Sequence, residues 1–177
     1  MAPTAIWAEL PPEHRRWILL NALLVTAVVN VIVNGVIDLV SIAGKGPIPF
    51  WGPPLVDTNT VWTITGTLFL LPLITCLLAT TAVRRDLRLG TLPPLRSLAH
   101  SESLPSSRLR RGLVFGAVIA VFAAPPIVLV LAALGVGDLS HAQYTVWHIA
   151  FAVVLGALVT PVIALCAMTD RPRDLSQ

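Results

Sequence analysis

Charged residues are scarce in this chain, and lysine is almost absent. Only 12% of the 177 residues are charged, while 55% are hydrophobic and the mean hydropathy is +0.81. A soluble domain carries about 25% charged residues, so a water-soluble fold is excluded. The two cysteines, Cys76 and Cys166, show no spacing typical of zinc ligands, and we interpret both as small core residues.

Sequence motifs that carry common chemistries are missing. The chain has no glycine-rich phosphate loop, no nucleophile elbow and no HExxH. Its apolar runs contain no paired carboxylates, and His141 and His148 are too far apart in sequence to match a recognised metal-ligand spacing. We therefore expect no cofactor and no metal site, and we favour a protein that is not an enzyme.

Four long apolar runs are what the chain does contain. They predict transmembrane helices at about 17–42, 61–83, 112–134 and 144–168, because a bilayer core of ~30 Å requires about 20 helical residues. A basic connector, 84–111, separates the second run from the third. The sequence thus predicts an all-α, polytopic membrane protein with one transmembrane domain, 1–177.

Basic residues fall on the two sides of these runs very unequally. Lys45, the only lysine, lies between the first and second runs, and all eleven arginines lie on the other side. Because cationic loops resist translocation, both termini and the connector are predicted to be cytoplasmic, in the cell membrane. The expected partner of this charge is the bilayer surface, and nucleic acid is not expected because aromatic and basic residues do not alternate. The arginines are Arg15, Arg16, Arg84, Arg85, Arg88, Arg96, Arg108, Arg110, Arg111, Arg171 and Arg173.

A short pattern recurs in the two halves. Thr60-Val61-Trp62 opens the second run and Thr145-Val146-Trp147 opens the fourth, while an Arg-Arg pair precedes the first run and the third. Since both halves begin on the same side, the pattern predicts a parallel repeat of two helical hairpins. Two hairpins that share a tripeptide by chance are the alternative.

Polar side chains form a stripe along the first run. Asn30, Asn34 and Asp38 recur every four residues and so share one helical face. A polar stripe in lipid must face protein, water or a ligand. It is either a contact between helices or the lining of a cavity open to the outside.

Three residues of other runs are predicted to face this stripe. His148 lies at the depth of Asp38, and Thr63 and Thr67 share one face of the second run. Asp38 and His148 could pair or relay a proton, although a structural role for a lone His near the interface is the alternative.

The loop between the first two runs cannot be helical. Residues 44–54 hold four prolines and three glycines, which break a helix. Trp51 and Asp57 in this outer region are candidates for a lid over a polar cavity. The other tryptophans at run ends are typical of an interfacial belt.

The first half resembles small four-helix bacterial membrane proteins that carry permease-like names. The resemblance rests on Asn30 to Gly35, Pro49 to Gly52, Leu71 to Cys76 and Val83 to Arg85. It implies the four-helix fold and transfers no catalytic residue.

The leading functional hypothesis is a small permease or channel-like protein, which we expect to be a homo-oligomer because four helices enclose little space. The alternative is a binding or accessory subunit for a lipid, a quinone, another hydrophobic ligand or a membrane-protein partner. A third hypothesis is an intramembrane enzyme that acts on a lipid-like substrate through Asp38 and His148.

Overall fold

The computed structural model describes residues 10–53, 57–95, 105 and 107–170. Within this part of the chain there are four helices longer than 18 residues, and each is long and apolar enough to cross a membrane. The predicted all-helical class and the number of spans are therefore confirmed. Part of the connector (96–104 and 106) and the tail (171–177) lie outside the described residues. The helices are α1 (Pro12–Ile42), α2 (Thr60–Leu89), α3 (Arg108–Ala133) and α4 (His141–Met168).

All four helices begin before the predicted apolar runs, and α2 also ends later, because local capping, and not hydropathy, decides these ends. The helix α1 begins at a proline, which is favourable at a first helical position. At the end of α2, Gly90 adopts φ +70° and closes the helix in the left-handed conformation. Ser140 and Gln143 form a capping box at the start of α4. Between its two α-helical parts, α1 contains a π-helical segment, Ile18–Val25.

The helices pack in the order α3, α2, α4, α1. The helix α2 packs against α3 and α4, and α1 packs mainly against α4. Ile64, Leu68, Ala152 and Ile163 are fully or almost fully buried in the main core, where α2 meets α4. The most buried helix is consequently α4, and the least buried is α1.

Glycines allow the closest helix contacts. A Cβ at Gly116 of α3 would lie 2.5 Å from the backbone oxygen of Phe69, and one at Gly112 would lie 2.8 Å from Leu73. Gly156 of α4 gives similar room to Asn30 of α1. Small residues four apart are a common device for close helix packing in membranes, and they bring α3 tightly onto α2.

The two connections at one end of the bundle, here called the loop end, pack against each other. Residues 43–53 and 57–59, which follow α1, form no helix, as the prolines and glycines of this segment predict. Ile48 exchanges two backbone hydrogen bonds of 2.8 Å with Leu139, which precedes α4. The side chain of Phe50 is buried in the main core, so this loop folds back over the bundle.

A buried ion cluster holds the opposite end, here called the arginine end. Asp170 accepts hydrogen bonds from Arg84 Nε at 2.8 Å and from Arg111 Nη2 at 2.7 Å. The three side chains are 2%, 3% and 4% exposed for Arg84, Arg111 and Asp170. Because these residues lie on or directly after α2, α3 and α4, the cluster joins three helices at one point.

Candidate functional site

A cavity, here called groove A, lies between α1 and α2 and has α4 as its floor. Its volume is about 730 Å³, within the range of about 300–1,000 Å³ typical of ligand pockets. It runs from Trp17 and Asn21 at the arginine end to Lys45 and Asp57 at the loop end. Groove A therefore follows nearly the whole length of both helices.

Aliphatic side chains form the two walls of groove A. Val33 and Ile37 on α1 are 46% and 50% exposed, and Leu70 and Ile74 on α2 are each 51% exposed. Each wall repeats every four residues and so follows one helical face. Half-exposed aliphatic walls leave the groove open sideways, toward the surroundings of the bundle.

Polar contacts join the two sides of groove A at its ends. At the arginine end, Trp17 Nε1 donates a hydrogen bond of 2.7 Å to the carboxylate of Asp86 on α2. At the loop end, Lys45 Nζ donates to Thr58 Oγ1 at 3.2 Å and lies 3.9 Å from the carboxylate of Asp57. The groove is thus bounded at both ends and open along its side.

The polar floor centres on a buried His–Asp pair. His148 Nδ1 lies 2.8 Å from Asp38 Oδ1, and His148 Nε2 lies 3.0 Å from Thr67 Oγ1. The side chains of His148 and Asp38 are 7% and 2% exposed. Because an ionised carboxylate only accepts hydrogen bonds, Nδ1 carries a proton, and in the neutral ring Nε2 accepts from the Thr67 hydroxyl. One residue from each of α1, α2 and α4 meets here.

A second polar contact lies closer to the loop end. Thr63 Oγ1 donates to the backbone oxygen of Asn59 at 2.9 Å and lies 2.8 Å from the hydroxyl of Tyr144. Since the Thr63 proton is already used, Tyr144 is the donor in their contact. Asn59 also caps α2, because its side chain accepts a hydrogen bond from the backbone N–H of Trp62 at 2.8 Å.

The amide nitrogens of Asn30 and Asn34 donate hydrogen bonds within their own helix. Asn30 Nδ2 donates to the backbone oxygen of Thr26 at 2.9 Å, and Asn34 Nδ2 donates to the backbone oxygen of Asn30 at 2.9 Å. Neither side chain makes a hydrogen bond to another helix among the described residues. Asn30 nevertheless packs closely on Gly156 of α4, so the stripe serves both helix contact and groove lining.

Groove A brings together all six residues that the sequence placed around a cavity. These residues are Asn30, Asn34, Asp38, Thr63, Thr67 and His148. Of the two lid candidates, Asp57 lies at the loop-end mouth of the groove. Trp51 lies elsewhere: it is 61% exposed and packs edge-on against Phe50.

The order Thr67, His148, Asp38 matches that of a nucleophile, a base and an orienting acid in hydrolases. Acyl transfer also requires donors that stabilise an oxyanion. Thr67 lies well inside α2, where backbone N–H groups are already bonded within the helix. The backbone of α2 around Thr67 is therefore not placed to donate to an oxyanion.

Three features of the site were not anticipated from the sequence. Tyr144, at the start of the fourth apolar run, forms a hydrogen bond with Thr63 within groove A. Gly66 lines the groove, and nothing lies within 4 Å of the point where its Cβ would be. The Arg84–Asp170–Arg111 cluster was read only as flanking charge, although an acidic residue directly after the fourth apolar run was a visible signal.

A smaller cavity, here called groove B, lies at the loop end between α3 and α4. Its volume is about 580 Å³, and its lining includes Leu131, Val136, Val146 and Trp147, with Thr60 of α2. Trp147 stacks on Phe151 with ring centroids 5.4 Å apart and planes 7° apart. Groove B is thus predominantly apolar and contains no ionisable side chain.

These features define the chain as a bundle of four apolar helices with one polar groove. Comparisons with protein-family models, with curated proteins and with solved structures find no match to this chain. The resemblance of the first half to permease-named proteins stays a prediction.

Proposed function

We propose that this protein is a multi-pass protein of the cell membrane that binds a hydrophobic or lipid-like molecule in groove A. One observation carries the proposal: a groove with half-exposed aliphatic walls and a buried polar floor opens along the side of the bundle. A lipid-like molecule has the same division between an apolar chain and a polar group. It would enter from the bilayer.

The arginine distribution supports an orientation with the arginine end in the cytoplasm. Both termini then lie on the cytoplasmic side, and Lys45 lies outside. Asp38 and His148 fall in the outer half of the membrane, Asp38 about one turn from the end of α1 and His148 about two turns from the start of α4. In this orientation the polar floor of groove A serves the outer leaflet.

Transport is the second candidate, and the length of groove A favours it. The groove reaches from Trp17 at the cytoplasmic end to Lys45 at the outer end, so a bound molecule could move between leaflets. Ion conduction is less well supported, because the ties between Trp17 and Asp86 and between Lys45 and Thr58 close the ends. A permease for a lipid-like substrate is therefore favoured over a channel.

The packing order of the helices favours the proposed duplication. A two-fold axis along the membrane normal would exchange α1 with α3 and α2 with α4. The axis would then exchange the α1–α4 contact with the α3–α2 contact and leave the α2–α4 contact at the centre. The observed packing order, α3, α2, α4, α1, has this symmetry. A homo-oligomer remains part of the proposal, since Val121, Phe122 and Leu129 give α3 an exposed apolar outer face.

Native mass spectrometry of protein released from lipid nanodiscs tests the binding proposal. We expect one lipid-like molecule per chain in the wild type and its loss in Gly66→Phe, which fills the open space in groove A. Gly66→Ala is the matched control, because its methyl group meets no atom. Equal retention in all three proteins would contradict binding in groove A.

A dye-labelled lipid in liposomes tests the transport candidate. We expect the protein to accelerate movement of the lipid between leaflets and Gly66→Phe to abolish that acceleration. Binding without movement would leave a binding or accessory subunit as the function.

A further inference from the structure

We propose, on the basis of the binding function above, that groove A selects an amphiphile with an uncharged, hydroxyl-bearing headgroup. Asp38 and Asn34 receive the hydroxyl protons, and the apolar chain lies along α1 toward the arginine end. The inference rests on which polar atoms of the groove are already satisfied.

Most hydrogen-bond donors of the polar stripe are already used, because Asn34 Nδ2 has two acceptors and Asn30 Nδ2 has one. The amide nitrogens of Asn30 and Asn34 donate to backbone oxygens of α1. Asn34 Nδ2 also lies 3.2 Å from Asn30 Oδ1. Both ring nitrogens of His148 have partners, in Asp38 and Thr67. A ligand headgroup that can only accept hydrogen bonds therefore finds few donors in groove A.

Acceptors, in contrast, remain. Asp38 Oδ2 is buried and has no hydrogen-bond partner among the described residues. Asn34 Oδ1, one helical turn away, receives no hydrogen bond from the described part of the chain. A buried carboxylate oxygen without a donor is unfavourable, so a donor brought by a ligand satisfies a need already built into the site.

Access to Asp38 requires a small local movement. Its Oδ2 is shielded in this structure, but the terminal torsion of an aspartate has a broad energy minimum. A turn of the carboxylate presents Oδ2 to groove A. The open space beside Gly66, next to Thr67, gives room for a headgroup.

The charges around the groove favour a neutral headgroup. The carboxylate of Asp38 already has a partner in His148, at 2.8 Å. Lys45 lines the loop-end mouth of the same groove and repels a cation there, although Asp57 lies 3.9 Å from it. A hydroxyl donates a hydrogen bond without adding a charge to a groove with aliphatic walls.

The apolar wall of α1 fits a single acyl or alkyl chain. From Ile37 to Val25 it extends about 18 Å at 1.5 Å per residue. Half of a hydrocarbon core is about 15 Å. The wall is therefore slightly longer than one leaflet is thick, and a chain that fills it reaches about the middle of the bilayer.

The test compares two probes of equal chain length, 1-O-dodecylglycerol and its 2,3-di-O-methyl ether. Each is added to the full-length protein in nanodiscs, and bound probe is counted by native mass spectrometry. We expect the wild type to bind the glycerol ether at least tenfold more tightly than the methylated probe. Asp38→Asn should reduce this ratio to near one, and Asn34→Leu should reduce it in part while leaving the His148–Asp38 pair intact.

The outcomes separate this inference from the binding proposal. Equal binding of both probes, unchanged in Asp38→Asn, would overturn the headgroup inference and leave groove A as an apolar binding site. Failure of both probes to bind would overturn the binding proposal itself. If the wild type binds dodecylamine more tightly than both probes, the preferred headgroup is a cation and the hydroxyl inference is wrong. A dimer that retains no probe would show that a second copy of this chain occupies the groove. Thermal unfolding verifies that each variant folds. If Asp38→Asn does not fold, Asn34→Leu still tests the headgroup inference.

Discussion

Grooves A and B occupy related places in the bundle and have different contents. Aligning the two Thr-Val-Trp tripeptides sets Gly66 against Phe151 and Thr67 against Ala152. Gly66 leaves groove A open, whereas Phe151 stacks on Trp147 beside groove B. Similar arrangements of helices thus give a polar groove in one place and an aromatic, apolar groove in the other. Replacing side chains is therefore enough to create or remove a binding site in this bundle.

The two sides of the bundle also differ in how tightly they are held. The helix α3 packs closely on α2 through glycines, while α1 is the least buried helix and borders the open groove. We expect substitutions on the α3 side to change stability and substitutions on the α1 side to change binding. Four pairs of variants test this difference, and they follow in decreasing order of expected effect.

Asp170→Asn should be the most destabilising change. It leaves Arg84 and Arg111 buried without their carboxylate, and removal of one partner of a buried ion pair costs about 3–5 kcal/mol. Asp86→Asn, which weakens only the tie to Trp17, should cost about 1 kcal/mol. Unfolding free energies in mixed micelles would measure both, and equal effects would refute the distinction between the two sides.

Gly116→Ala should destabilise the bundle by about 1–3 kcal/mol, the usual cost of overpacking. Its Cβ would lie 2.5 Å from the backbone oxygen of Phe69. Gly66→Ala adds the same methyl group to α2 with nothing within 4 Å, so it should leave stability unchanged or raise it slightly. Apparent melting temperatures in detergent compare the two, and a loss in Gly66→Ala as large as that in Gly116→Ala would speak against an open groove.

The two equivalent tryptophans should respond differently. Trp147→Ala removes the stacking on Phe151 and should cost roughly 1–2 kcal/mol. Trp62 is 39% exposed and lines groove A, so Trp62→Ala should change stability little and weaken ligand binding. Thermal unfolding and native mass spectrometry together distinguish the two roles. Identical profiles for both variants would show that the grooves do not differ in function.

Thr63→Val should destabilise the bundle only mildly. It removes the acceptor for the Tyr144 hydroxyl and the hydroxyl that donates to the backbone oxygen of Asn59, while keeping a similar shape, and loss of one hydrogen bond costs about 1 kcal/mol. Tyr144→Phe removes only the hydrogen bond between the two side chains, so the double variant should cost no more than about 0.5 kcal/mol beyond Thr63→Val alone. Additive losses would show that the two hydroxyls act independently.

Much of the fold could be predicted from the sequence. Four apolar runs and their lengths define four helices, because only a helix satisfies every backbone group within lipid. The helix ends were less predictable: α2 continues through Arg84 to Leu89 because a buried arginine with a carboxylate partner can extend a helix that hydropathy would end. The Gly112 and Gly116 spacing was a readable signal for close packing that composition alone did not reveal.

Much of the candidate site could also be predicted from the sequence. Residues four apart share a helical face, and counting from helix ends gives depth, so Asp38, His148 and Thr67 could be placed near one another. What hydropathy could not give was the neighbour of each helix. That α1 packs on α4 and leaves a gap beside α2 depends on side-chain volumes at Gly156, Asn30 and Gly66.

The sequence by itself thus determined the apolar helices, their number and the polar faces they carry, since these follow from hydrophobicity and helical period. Only the tertiary structure decided that the polar stripe borders a groove, that Asp38 keeps an oxygen without a donor among the described residues, and that two arginines share Asp170. Such contacts join residues far apart in the chain. They depend on how closely packed surfaces approach, and no local pattern records that distance.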